Sequence, residues 1–295
     1  MKKLRLLLLG LLIAGIVYWL AGKVGGPPDP EYQGRRLSAM LKESSLDVHT
    51  LESGRETRFG AEDVLAIRQM GTNAIPYLLK ELSATDSSLK IKLVELLSRQ
   101  SVFSIRFEMA AYHHYRAADA FQVLGPIGEP AIPELARLLN EGETSDHAAM
   151  ALAGIGDKSI PILIQTLSHT NASVRASAAG ALGTFSSGAS VIVPALIQSL
   201  GDPNKDVRFT AAYSLGKRHQ EAALAVPALM KCLEDAAPIM RAFSANALEK
   251  FGAEAKPAIP ALLKARETTN TYTRDTIDRA LRAIDPEAAA RAGIQ

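Results

Sequence analysis

Val174-Arg175-Ala176-Ser177-Ala178-Ala179-Gly180-Ala181-Leu182-Gly183 returns 33 residues later as Val207-Arg208-Phe209-Thr210-Ala211-Ala212-Tyr213-Ser214-Leu215-Gly216. It returns again, more loosely, as Met240-Arg241-Ala242-Phe243-Ser244-Ala245-Asn246-Ala247-Leu248, and Arg274 keeps the step. Pro194, Pro227 and Pro260 follow the same period. A period of this length marks stacked units, because one helix pair cannot bury its apolar face alone and needs neighbours on both sides. Small residues three and four places after the arginine, and leucine seven places after, share one helical face. They let the next helix come close. Gly183 and Gly216 fall where that helix should stop, and both are expected to be left-handed caps.

A second helix follows in each unit. Ile75-Pro76, Ile132-Pro133, Ile160-Pro161, Val193-Pro194, Val226-Pro227 and Ile259-Pro260 each open an apolar pattern two, three and six residues beyond the proline. Proline suits a first helical turn, where its missing amide loses no partner. Arg266 is the exception, and a polar residue there fits an end unit with one neighbour fewer.

This pattern resembles HEAT repeats of the short variety named for phycobilisome-lyase-like proteins, from about residue 61 to residue 285. Asp202 precedes Arg208 by six and Asp235 precedes Arg241 by six, as in the aspartate and arginine ladder of that family, with Arg175 and Arg274 on the same period. His169 takes an aspartate place and Ala148 an arginine place, so a break in the ladder is expected around the middle units. The resemblance implies an all-α, right-handed α-α superhelix of the HEAT/armadillo kind over residues 61–286, with residues 287–295 as a tail. Composition agrees: aromatics make up 5% of the chain, and no alternating run bounded by turns suggests a strand.

The first 22 residues read separately. Lys2, Lys3 and Arg5 precede an uncharged run of 17, residues 6–22, with Tyr18 and Trp19 near its far edge. At helical rise the run reaches about 26 Å, just short of a hydrocarbon core of about 30 Å. Trp19 or Leu20 would occupy the third-last place of a signal-peptidase site, and Lys23 stands where a lipoprotein box needs cysteine, so an uncleaved transmembrane helix is expected. The basic residues place its N-terminus in the cytoplasm and the solenoid outside it, periplasmic in a bacterium. Secretion after cleavage is the alternative. Residues 23–60 form a stiff Gly/Pro spacer and a lead-in helix with Ser38 near its cap; Tyr32, Gly34, Arg35, Arg36, Leu37 and Ser38 resemble a segment preceding HEAT arrays in membrane-tethered bacterial proteins of the planctomycete and verrucomicrobial kind.

Pro76 and Pro133 are 57 residues apart, so the period breaks between them. A helix near residues 89–97 and an irregular insertion at 99–116 are expected there. The insertion concentrates aromatic residues, and Arg106, Tyr112, His113, Tyr115 and Arg116 are its candidate binding residues. Its alternative is an elongated helix whose aromatics pack in the core. No metal is expected: His113 and His114 diverge by about 100° on a helix, and none of the six histidines is followed by glutamate, unlike the di-iron hydroxylase of the HEAT-like group. Walker, dinucleotide-binding, nucleophile-elbow and paired-cysteine patterns are lacking, and the lone Cys232 rules out an intrachain disulfide. No cofactor is expected.

Position four after each proline lies about 150° from the apolar side, so Lys80, Arg137, Gln165, Gln198, Lys231 and Lys264 should face solvent. A HEAT-like stack puts its second helices on the concave side, which would make these six a mildly basic stripe suited to an acidic peptide, protein or glycan. A merely solvated face explains the stripe as well. Nucleic acid fits less well: removing the three cations of residues 1–5 from the net charge of +2 leaves −1 for the rest. The expected function is a non-catalytic scaffold or adaptor at a membrane. A lyase-like or hydroxylase-like enzyme, or a chromophore-attachment factor, is the rival.

Overall fold

The computed structural model describes residues 26–44, 49–50, 56–98, 109–267 and 270–294. The apolar run at residues 6–22 and Arg106 lie outside them. Among the described residues no helix is long and apolar enough to cross a membrane.

The lead-in segment is more structured than its composition suggests. Glu31–Tyr32 (β1) and Arg35–Arg36 (β2) pair antiparallel around Gln33 and Gly34, which have φ of 50° and 79°. Two positive-φ residues form a turn whose twist matches that of a hairpin. A second short pair joins His49–Thr50 (β3) to Glu56–Thr57 (β4), so the strand-free expectation fails in this segment. The helix Leu37–Glu43 (α1) starts after Arg36. Ser38 does not cap it by accepting. Its backbone N–H and hydroxyl both donate to the Asp29 carboxylate, at 3.0 and 2.5 Å. Leu37 and Met40 are fully buried, closing the open end of the stack as a cap must.

Among the described residues seven first helices follow: Ala61–Met70 (α2), Ala110–Leu124 (α5), Ser145–Ile155 (α7), Ala172–Leu182 (α9), Lys205–Arg218 (α11), Pro238–Phe251 (α13) and Thr271–Ile284 (α15). Their partners are Ile75–Leu82 (α3), Ile132–Leu139 (α6), Ile160–Thr166 (α8), Ala189–Ser199 (α10), Ala222–Cys232 (α12), Ile259–Glu267 (α14) and Pro286–Arg291 (α16). From α5 to α15 each first helix packs on the next, and one core cluster runs from Leu37 to Ile294. The small residues do what the repeat requires: Ala178, Ala179, Ala211, Ala212, Ser244 and Ala245 are all fully buried.

Two expectations about punctuation change. Gly183 has φ −67° and Gly216 lies inside α11, so neither is a left-handed cap. A Cβ on Gly216 would stand 2.7 Å from Ala247 Cα, and one on Gly183 would stand 2.9 Å from Ser214 Cα. Glycine is there because neighbouring first helices touch backbone to backbone. Gly71, Gly125, Gly156 and Gly252 end their helices at positive φ instead. The prolines also divide. Pro76, Pro133, Pro161 and Pro260 sit in first turns, whereas α10 and α12 begin earlier and carry Pro194 and Pro227 inside. Both interior prolines are exposed, so the carbonyl each leaves unpaired has water within reach.

Arg266 does not mark the end of the stack. Its guanidinium meets Asp278 of α15 through Nε at 2.5 Å and Nη2 at 3.2 Å. The stretch read as a tail holds α16, capped by the Asp285 side chain, and Ile294 is buried. One further helix, Ser88–Ser98 (α4), stands where the period breaks.

Candidate functional site

Arg175 and Arg208 each link their own unit to the next. Arg175 holds Asp202, 27 residues on, through two bonds of 2.8 Å, and Arg208 reaches Asp235 at 3.6 Å. Each arginine also turns back to its own unit: Arg175 Nη1 donates to the carbonyls of His169 and Thr170, Arg208 Nη1 to those of Asp202 and Pro203. This inner contact uses backbone, so His169 serves it as well as aspartate does, but among the described residues no arginine–aspartate pair joins α7 to α9, and the ion-pair ladder breaks at that junction. At Ala148 the arginine is missing, and Ser177 bonds Asp146 instead. The Arg175 guanidinium, with the Asn204 amide behind it, holds the Asp202 carboxyl below its ordinary range. Arg241 and Arg274 occupy the matching places in α13 and α15.

A residue that the repeat pattern conceals makes a second link. Arg218, at the end of α11, is 4% exposed and donates to the carbonyls of Leu182, Phe185 and Ser187 and to Gln220. It thus fills the carbonyl end of α9, whose last groups have no partner in their own helix. Among the described residues it has no carboxylate, and burial lowers its pKa. Cys232 is half-buried, and burial raises its thiol pKa, which suits a quiet packing residue.

All six positions of the expected stripe, Lys80, Arg137, Gln165, Gln198, Lys231 and Lys264, are exposed. Much of its charge is spent locally: Arg137 pairs with Glu134 and Glu141, and Lys264 with Glu234 at 3.1 Å. Gly26 of the lead-in lies against the end of Lys80.

None of the six lines the groove of about 790 Å³ that runs over the first helices α5, α7, α9 and α11. Ala149, Ala153, Gly154, Ala176, Gly180 and Ala181 keep its floor low. Its rim carries Tyr115, Met150, Asp146, Thr184, Thr210 and Lys217, with Asp146 on α7 and Lys217 on α11. The close approach of first helices and the groove share one origin, a helix face that holds only small side chains.

A second, smaller pocket of about 180 Å³ lies at the break in the period. It is lined by Ser38, Leu41, Lys42, Tyr77, Glu81, His113 and Arg116. His113 Nδ1 lies 2.6 Å from Glu81, and Tyr77, hydrogen-bonded to Glu81, is held protonated by burial first and by that carboxylate second. The stretch read as irregular is therefore helical from Ala110 onward, and α5 sends its candidates to different sides. His113 and Arg116 face the small pocket, Tyr115 the groove, and Tyr112 is 60% exposed. His114 is buried, with Nε2 2.6 Å from the Ala84 carbonyl and its ring 5.5 Å from that of His147. Desolvation and the nearby His114 hold His147 below the usual imidazole range. No group of three potential metal ligands exists among the described residues.

Comparison with known families places part of this architecture. Residues 160–226 and 193–282 match the family model of HEAT repeats, and residues 146–169 match the PBS lyase HEAT-like repeat. No curated protein sequence matches the chain. Similar solved structures include an engineered protein at 22% identity, covering 71% of this chain and 96% of that one, with a TM-score of 0.45. A designed armadillo repeat protein in complex with the peptide (KR)4 is 20% identical, over 72% and 99% of the two chains, at a TM-score of 0.46. A computationally designed armadillo repeat protein for modular peptide recognition is 19% identical, over 72% and 100%, at 0.43.

Proposed function

We propose that the chain is a non-catalytic scaffold that holds a protein or peptide partner in the groove of its first helices, tethered to a membrane by residues 6–22. The observation that carries the reading is the groove itself: four successive units share it, its floor is small side chains, and its charged groups Asp146 and Lys217 sit two units apart. An open, shared surface with dispersed polar groups suits docking of an extended segment, whereas catalysis needs converging ionisable groups.

Two surface variants test it by crosslinking capture from cells. Gly180→Leu raises the groove floor, and the fourfold variant K80E, R137E, K231E and K264E reverses the basic positions of the second-helix stripe. Loss of partners with the first and retention with the second is the expected result; the reverse assigns binding to the stripe and sinks the groove. For the tether, a reporter active only outside the cytoplasm and fused after Gln295 should give signal. Silence from a well-expressed fusion contradicts the orientation.

The rival reading, an enzyme, has one observation in its favour: His113, Glu81, Tyr77 and Ser38 meet in the small pocket. Under the scaffold reading His113→Ala leaves partner capture unchanged.

A further inference from the structure

The helix α4 is built unlike every other long helix of the stack. None of its residues 88–97 is buried, and Leu89, Ile91 and Leu96 are 71%, 49% and 65% exposed. Leu89, Leu93 and Leu96 are spaced at three and four residues, so they share one face, with Lys92 beside them. Asp86 fixes its root: it accepts from Lys90 Nζ at 2.6 Å and, with its other oxygen, from the first amide of α5 at 2.9 Å. A solvated helix of this kind costs stability in a water-soluble protein, because leucine area stays in contact with water.

Its position in the chain says what covers it. The uncharged run ends at Gly22, and Gly26 is already seated against Lys80, in the last turn of α3. Four residues span at most about 14 Å. If residues 6–22 lie in a bilayer, as the functional reading above holds, α3 is tied close to its surface, and α4 starts six residues after α3 ends. An exposed helix with leucines on one face and Lys92 at its flank can lie in the headgroup layer, leucine side inward.

We propose that α4 is a membrane-surface helix, whose Leu89, Leu93 and Leu96 face enters the lipid interface next to the anchor and sets the tilt of the solenoid on the bilayer. This rests on the anchor reading. The contact is with lipid, and Lys92 favours an anionic leaflet.

The test uses the full chain with Cys232→Ser, a change the previous unit already carries at Ser199, plus one new cysteine at Leu89, at Leu96 or, as a distant control, at Val191. Each is labelled with a polarity-sensitive fluorophore and reconstituted in vesicles of phosphatidylcholine with a minor fraction of phosphatidylglycerol; thermal melts check that each variant folds. Labels at 89 and 96 should shift to the blue and lose most of their emission to a lipid-borne quencher, while the label at 191 does neither. Protein that fails to float with vesicles overturns the anchor reading and the proposal with it. Protein that floats while labels 89 and 96 stay aqueous overturns the proposal alone, as does shielding of those labels in detergent-free buffer without lipid, which would show that protein covers the helix.

Discussion

At the scale of single residues, the ion pair between Arg175 and Asp202 is the most exacting contact between units. Its side chains are 12% and 10% exposed, and its two parallel bonds fix both distance and plane. Asp202→Asn removes the charge while keeping the shape, and a loss of about 1–3 kcal/mol is expected from a hydrogen bond to a charged group. The pH dependence has a definite sign. The Asp202 pKa is lowered on folding, so its stabilisation is complete above the ordinary aspartate value and disappears as pH falls through the folded value. Acid titration of melting temperature should therefore show a constant gap between variant and parent above about pH 4, near the ordinary aspartate value, and convergence only as pH falls below it; a gap that persists unchanged well below that pH would refute the linkage. The arginine spacing was legible in the sequence, but its partner was not. Six residues separate Asp202 from Arg208 within a unit, while the bond crosses to Arg175 of the unit before. Arg218 was illegible altogether, since only the fold brings the carbonyl end of α9 to it.

At the scale of the helix, glycine marks contact more than it marks ends. Gly216 and Gly180 differ in their surroundings although both are right-handed helical positions. A Cβ on Gly216 would press on the backbone of Ala247, whereas one on Gly180 would meet only Thr210 Cγ2, at an ordinary 3.5 Å. Gly216→Ala should destabilise by about 1–3 kcal/mol through overpacking. Gly180→Ala should instead gain up to about 1 kcal/mol of helix propensity. Denaturant melts of the two variants decide, and a shared sign would refute the distinction. Sequence periodicity gave the helical face correctly because small residues recur at fixed spacing. It placed left-handed caps at Gly183 and Gly216, whereas α9 does stop at Gly183 but with right-handed backbone and α11 runs on through Gly216, because a glycine that ends a helix and a glycine that lets two helices touch look alike in one dimension. The interior prolines of α10 and α12 escaped for a related reason: water can satisfy the carbonyl they abandon.

At the scale of the whole molecule, each unit is supported by its neighbours, so damage should travel a short way. Removing residues 268–295 deletes α15 and α16 and takes Asp278 from Arg266. Amide exchange should rise strongly in α13 and α14 and hardly change in α5 and α7; uniform loss of protection along the chain would mean a single cooperative body instead. The array as such was readable from its period, whereas the position of the groove was not, because which side of a helical hairpin stays low depends on side-chain size summed over four units. The reach of Arg175 to Asp202 has one more consequence. Excising residues 176–208, one period, would bring Arg175 to the same distance in sequence from Asp235. The join would find a matching acid waiting, so lineages can lengthen or shorten this molecule by whole links, as a chain is resized, without redesigning either end.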